Sequence, residues 1–419
     1  MTDTHSFQLS WRLSQHARRL LTLALAGLAI AITTGRPVFA GVAAPAILLL
    51  AGWRRQRPRE VTVTVDVARQ LVEGDEGAVG VEISGYGGYT VRARLHASAG
   101  YTMGALQRQA CAAGYTARVP FRAGHWGTSP VGTLEVTLWD RLRLSEGRAV
   151  IALPRTGCYP LPADLRGRVS LNRLPSRHGE RTSRAAGEGI EFAGVRQSVP
   201  GDRQRRINWA ATTRNGTLQL NTFAVERTQN VVVLADATAD VGEPGTTSLD
   251  LAFRAAAGTI NRYLAGGDRV GLIVYAATLS WIGPGVGQRH FHRLMDLLLS
   301  SERGWDSRGG LRRLPRAALP PGALVVAFTP LLDSRLAATL RDLRERGFTV
   351  LVVDVLTAEP APSRSQVVTL ARRVWRLEQQ AVRFTLTEAG IPVVGWDGRA
   401  SLDEPLAPYT QRVMLAGRT

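Results

Sequence analysis

Asp236, Thr238 and Asp240 stand two residues apart directly after the apolar run "NVVVLAD". In extended backbone alternate residues share a side, so three oxygen-bearing side chains at this spacing can face one centre. Carboxylate and hydroxyl oxygens suit a hard divalent cation, Mg2+ or Mn2+. Thr246 and Thr247, in "GTTSLD", open the following helical pattern and add two more hydroxyls nearby.

These residues need a scaffold, and the pattern around them supplies one. "NVVVLAD" is a continuous apolar run, as suits a strand buried on both faces. "SLDLAFRAAAGTINRYLAGG" has helical periodicity and ends in glycines. Strand and helix patterns then alternate through "DRVGLIVYA", "QRHFHRLMDLLLSS", "ALVVAFT", "SRLAATLRDLRERG", "FTVLVVDVL" and "VVTLARRVWRLEQQAVRFTL" to "IPVVGWD". This order predicts an α/β, Rossmann-type domain over residues 228–400 with a largely parallel sheet, followed by a tail over 401–419. Ligands of such sheets sit at the carboxyl ends of the strands, where Asp236 falls. His290 and His292 are two apart on a helix, on different faces, and do not form a metal pair.

Upstream the periodicity changes. From Val61 the chain alternates in short runs, "VTVTVDVA", "GAVGVEIS", "YTVRARLHA", "GTLEVTLWD", separated by Gly, Asp and Ser. An all-β, immunoglobulin-like sandwich over 60–156 is expected. Residues 157–187 are rich in Pro, Arg, Ser and Gly and read as a linker, with His178 as a solvated surface residue. Residues 188–227 carry an arginine-rich stretch around Trp209.

The N-terminal region holds two apolar runs, "LLTLALAGLAIAITT" and "VFAGVAAPAILLLAGW", split by "GRP". With flanking residues each approaches the ~20 residues a span needs. Arg12, Arg18 and Arg19 precede the pair, Arg54, Arg55 and Arg57 follow it, and Arg36 alone lies between them. The positive-inside rule then gives a transmembrane helical hairpin, about 18–35 and 37–53 within residues 1–58, with both ends cytoplasmic. The expected location is the inner or plasma membrane, multi-pass, with the soluble domains in the cytosol. A cleaved signal ending near "VFAG", or a single-span form, is the rival reading.

The chain has 419 residues and a formal charge of +18, carried almost wholly by arginine. That charge attracts anionic lipid or nucleic acid, or reflects codon usage. No helix-turn-helix, RNP or zinc-finger pattern accompanies it, so no specific nucleic-acid partner is expected. Cys111 and Cys158 lack metal-ligand spacing and read as thiols in a reducing compartment. No nucleophile elbow, Walker A or HExxH motif is present, so an enzyme is the weakest of the three function classes.

The stretch from "GIEFAGVRQ" to "NVVVLADAT" resembles the signature of the domain-of-unknown-function 58 family, bacterial membrane-anchored proteins with a von Willebrand factor A-like domain. The likeness rests on Phe192, Gly194, Arg196, Gly201, Asp202, Arg206, Ile207 and Trp209; Val199 departs from the family's usual Tyr and Asn208 from its usual Asp. Trp209 can bury its ring while Arg206 pairs with Asp202 or stacks on the indole, and the sequence leaves open whether the motif is buried. These residues have a structural or docking role in this reading. The resemblance implies a metal-ion-dependent adhesion site built on Asp-x-Ser-x-Ser, a second-loop Thr and a third-loop Asp. Asp236 matches the first position, Thr238 and Asp240 replace the two serines, and Thr246 or Thr247 is the second-loop candidate. Pro330 stands where the third-loop Asp is usual, and Asp333 is the substitute. The resemblance also implies a non-enzymatic adaptor that works with a MoxR-type AAA ATPase.

Overall fold

The computed structural model describes residues 2–7, 9–51, 61–105, 107–111, 114–169, 173–175, 191–199, 207–224, 228–301, 314–356, 359 and 365–411. The chain divides into two compact units, Met1–Leu161 and Pro162–Thr419.

The first unit runs β1 (Thr2–Phe7), β2 (Ser10–Leu13), α1 (Gln15–Thr34), α2 (Val38–Ala51), β3 (Val61–Asp66), β4 (Gln70–Val72), β5 (Glu76–Ser84) and β6 (Thr90–Ala97). It continues with β7 (Tyr101–Met103), β8 (Gln107–Cys111), β9 (Gly114–Ala123), β10 (Gly127–Pro130), β11 (Gly132–Trp139), β12 (Ser145–Ala152) and β13 (Arg155–Tyr159). One sheet has the order β1-β3-β5-β9-β7, with β8 also on β9, and a second has the order β2-β12-β11-β6. The alternation read from sequence is visible directly: Val61, Val63 and Val65 are buried while Thr62 and Thr64 are half-buried. These valines share one core with Val79, Val81 and Ile83 of β5 and with Leu134, Val136 and Leu138 of β11. Two antiparallel sheets therefore pack face to face, as a period-two pattern demands.

The expected boundary at residue 60 moves. Residues 2–13 belong to the sheets: Thr2 to Phe7 pair antiparallel with Asp66 to Val61, and Ser10 to Leu13 pair with Arg148 to Ser145. The helices are thus an insertion between strands of one domain. Ser14 is the joint. Its side chain caps α1 by accepting from Ala17 N at 3.0 Å, while its own N–H donates to Leu144 O at 2.9 Å. α1 and α2 pack through Ala24, Ala43 and Ala46, with Leu20 and Leu28 beside them, and Leu23, Leu25 and Ile32 face outward. Small residues at the contact and large apolar ones outside suit a lipid environment.

α1, at 20 residues, is long and apolar enough to cross a membrane. α2 has 14 described residues and rises roughly 21 Å, short of a ~30 Å hydrocarbon core. The expectation of two full spans is therefore met by one helix among the described residues.

The second unit runs β14 (Arg168–Val169), β15 (Glu191–Gln197), α3 (Trp209–Asn215), β16 (Gln219–Ala224), β17 (Asn230–Asp236), α4 (Ser248–Ala265), β18 (Arg269–Tyr275) and β19 (Leu279–Gly285). It continues with α5 (Gln288–Ser300), β20 (Leu324–Thr329), α6 (Ser334–Glu345), β21 (Thr349–Asp354), α7 (Gln366–Glu388), β22 (Val393–Gly395), α8 (Asp403–Leu406) and β23 (Thr410–Gln411). The main sheet has the order β19-β18-β17-β20-β21-β22. Every pairing in it is parallel except β18 with β19. β17, β20 and β21 are almost wholly buried, which explains their unbroken apolar runs. One core layer joins Val232, Leu234, Val325 and Ala327 of the sheet to Leu336, Leu340 and Leu343 of α6. His290 is buried, its Nε2 2.7 Å from Val270 O, a structural role as read.

Two composition-based expectations give way. Residues 157–169 are not a free linker. Gly157–Tyr159 pair with β4, Ala163 N donates to Arg254 O at 2.9 Å, and Val169 N donates to the buried Tyr263 hydroxyl at 2.8 Å. Gly258 of α4 is required here, since a Cβ on it would lie 2.9 Å from Ala163 N and closer still to Ala163 O. The remainder of the expected linker, His178 included, lies outside the described residues. Nor is 401–411 a tail: Asp403 accepts from the Arg166 and Gly167 N–H groups at 2.8 and 2.7 Å, and β23 pairs with β14.

Candidate functional site

The strand order reverses its direction of growth between β17 and β20, and the carboxyl ends of these strands form the switch point of the sheet. Asp236 ends β17 and Thr329 ends β20. Asp236 is 0% exposed. Its Oδ1 accepts from Thr238 Oγ1 at 2.6 Å and Thr238 N at 3.0 Å, and its Oδ2 accepts from Thr329 Oγ1 at 2.6 Å. Thr329 Oγ1 in turn accepts from Leu331 N at 2.9 Å. Leu331 has φ +55°, a left-handed conformation rare for a branched side chain, and it is buried. Burial pushes the Asp236 carboxyl above its ordinary value, opposed by the hydrogen bonds from Thr238 and Thr329 and reinforced by the negative charge of Asp333.

Asp333 caps α6, its Oδ1 accepting from Arg335 N at 2.9 Å. The Arg335 guanidinium grips the same carboxylate, Nε to Oδ1 at 3.1 Å and Nη2 to Oδ2 at 3.2 Å. Thr247 is committed to a capping box with Asp250 at the start of α4, at 3.2 and 3.1 Å. Thr246 Oγ1 donates to Glu243 O at 3.4 Å, and Asp240 is exposed. The structure therefore joins Asp236 and Thr238 directly and sets Asp333 near them, while Thr246 and Thr247 serve their own loop. Among the described residues no three His, Cys, Asp or Glu side chains converge as metal ligands. This donor set does not fit a divalent-cation cage. Sequence reasoning missed Thr329 and Arg335; the only available signal was that Thr329 ends the apolar run next to Pro330. It also missed Ser248, buried at the start of α4, which accepts from Val241 N at 3.1 Å and so shapes the loop after Thr238.

An open cleft of about 1260 Å3 lies at the same carboxyl edge, beyond β21 and β22. Its wall includes the buried Asp354, whose Oδ2 accepts from Arg383 Nε at 2.6 Å and whose Oδ1 accepts from Leu356 N at 2.9 Å. Burial raises the Asp354 carboxyl above its ordinary value, opposed by the Leu356 N–H and by Arg383.

The signature segment forms a two-stranded antiparallel sheet of its own, β15 with β16, bulged between Phe192 and Gly194. In that ladder Phe192 faces Phe223, Gly194 faces Thr222 and Arg196 faces Leu220, and Ile207 bridges to Leu220. Asn208 caps α3, accepting from Ala211 N at 2.9 Å, and its Nδ2 donates to Asn221 Oδ1 at 2.8 Å. The Asn at this position thus fills the capping role a carboxylate would fill and adds a donor. Trp209 is the first residue of α3 and is 69% exposed, which answers a question the sequence leaves open. Val195, Val199 and Leu218 of the same segment are exposed as well. Gly201, Asp202 and Arg206 lie outside the described residues.

Residues 194–365 match the family described as "Protein of unknown function DUF58". Over that segment the chain is similar to the DUF58 family. The match takes in Ile207, Trp209, Asp236, Thr329 and Asp333, so it spans both the Trp209 segment and the switch-point centre. Similar curated proteins include uncharacterized proteins of Mycobacterium bovis and Mycobacterium tuberculosis, each 28% identical over 182 residues, 43% of this chain and 51% of theirs. The chain spans about half the length of the curated relatives it matches.

Proposed function

We propose that this protein is a membrane-anchored, non-enzymatic interaction protein that presents the Trp209 segment to a MoxR-type AAA ATPase. The carrying observation is the exposed indole. A tryptophan 69% exposed on a capped helix, with Val199 and Leu218 exposed in the same segment, forsakes the burial its area would otherwise reward. Exposed aromatic anchors with apolar neighbours are what protein interfaces bury. The strand order and the antiparallel β19 support a von Willebrand factor A-like reading of the α/β domain, and the two-sheet core supports an immunoglobulin-like one for the sandwich.

The anchor is a helical hairpin with both ends on one side of the bilayer. Its support is that α1 begins where β2 ends and the chain after α2 returns to β3 of the same sandwich. The basic residues at those ends, Arg12, Arg18 and Arg19 before and Arg54, Arg55 and Arg57 after, support a cytosolic reading of that side. There ATP is available to the partner.

The test is purification of the intact protein from its native membrane in mild detergent with Mg2+ and ATP, with Trp209→Ala beside it. An AAA ATPase should accompany wild type and fall away from the variant. Recovery of no ATPase with either protein would remove the partner from this reading.

A further inference from the structure

The resemblance implies a divalent cation at the end of β17, and the side chains there are arranged for something else. We infer that the Asp236–Thr238–Thr329 centre is a cation-independent clasp that ties the loops after β17 and β20 together at the switch point. Both Asp236 oxygens accept hydroxyl hydrogens at 2.6 Å, one from each loop. Thr329 passes the constraint on through Leu331 N, which holds the left-handed turn at Leu331. Pro330 occupies the position where a third-loop carboxylate would stand, and it has no side chain able to ligate. Asp333 has both oxygens on Arg335, so the positive charge beside it is a guanidinium of the chain itself. The Thr247 hydroxyl is turned into the α4 cap.

Each of these groups has a hydrogen-bond partner of the sort a buried polar group requires, without a metal. A divalent cation would have to break the Arg335 pair and reorient Thr247 to collect its ligands. The clasp is a fixed part of the α/β unit, and it stands independently of which partner docks at Trp209.

The experiment uses the full chain in detergent, stripped with EDTA. Thermal melts are recorded with EDTA, Mg2+ or Mn2+ in millimolar excess, and Mn2+ binding is followed by electron paramagnetic resonance. Wild type should melt at one temperature under all three conditions and leave the Mn2+ signal that of the free ion. Thr329→Val should melt several degrees lower whatever the cation, and Thr329→Ser, which keeps the hydroxyl, should recover most of that loss. Stoichiometric Mn2+ binding that Asp236→Asn abolishes would overturn the inference. So would a melt raised by Mg2+ in wild type, or a Thr329→Val melt equal to that of wild type.

Discussion

Trp11 tests whether the residues before the helices are part of the sandwich. Its ring packs over Gly147, where a built Cβ would lie 3.2 Å from three indole carbons, and it meets Tyr89 edge-on with centroids 5.2 Å apart. It joins the core cluster as a partly buried member. Full truncation of a buried aromatic costs about 3–5 kcal/mol, so a half-buried ring with no side chain beneath it costs about 2–3 kcal/mol on Trp11→Ala. For a unit of this size that corresponds to roughly 4–12 °C in melting temperature. The aromatic pair contributes about 0.5–1.5 kcal/mol of the total and should appear as coupling in a double-mutant cycle with Tyr89→Ala. The assay is a thermal melt of the full chain in detergent, read for the sandwich. A Trp11→Ala protein melting within about a degree of wild type, inside the ~0.5 kcal/mol expected of a neutral surface change, would refute the assignment of β2. Truncation at residue 60 removes β1 and β2 and leaves β3 and β12 as open edges.

Thr329→Val leaves one Asp236 oxygen and the Leu331 N–H without their partner, at a cost of about 1–3 kcal/mol measured by denaturant unfolding. Arg383→Ala removes the counter-charge of Asp354 and raises that carboxyl further. A carboxyl whose folded pKa lies above its unfolded value stabilises at low pH and loses that contribution as pH rises. The Arg383→Ala deficit should therefore be largest at neutral pH and shrink on acidification, and a pH-independent deficit would contradict the assignment. Cys158 is buried and its thiol is pushed up to about 12, so a Cys111→Ser protein should resist alkylation at neutral pH until denatured. Gly258→Ala should destabilise the α/β unit by about 1–3 kcal/mol in a melt, because the clash is with Ala163 backbone.

The α/β alternation was legible because buried strands such as β17 and β20 must be apolar without interruption. Asp236 was legible because it ends one of them. β1 and β2 were not, since "TDTHSF" and "SWRL" are short and mostly polar, and as edge strands they are chosen by their partners β3 and β12 rather than by their own pattern. Residues 157–169 and 401–411 read as linker and tail because Pro, Gly and Asp mark irregular backbone; they do not say whether Tyr263, Arg254 or Asp403 will bind it. Composition cannot report the exposure of Trp209, which depends on which neighbours the fold brings. The capping roles of Thr247 and Asp333 were not legible for a local reason: each precedes a helix, and its side-chain oxygen accepts from a backbone N–H of the first turn, a geometry that spacing alone does not distinguish from ligation.

The most direct test of docking at Trp209 is a photo-crosslinking amino acid placed at position 209 of the intact protein in its native membrane. Irradiation should give one dominant adduct, with an AAA ATPase, that a control position on the exposed face of α7 such as Leu370 does not give. Adducts with lipid alone, or with the chain itself, would contradict the claim that this face meets a protein partner.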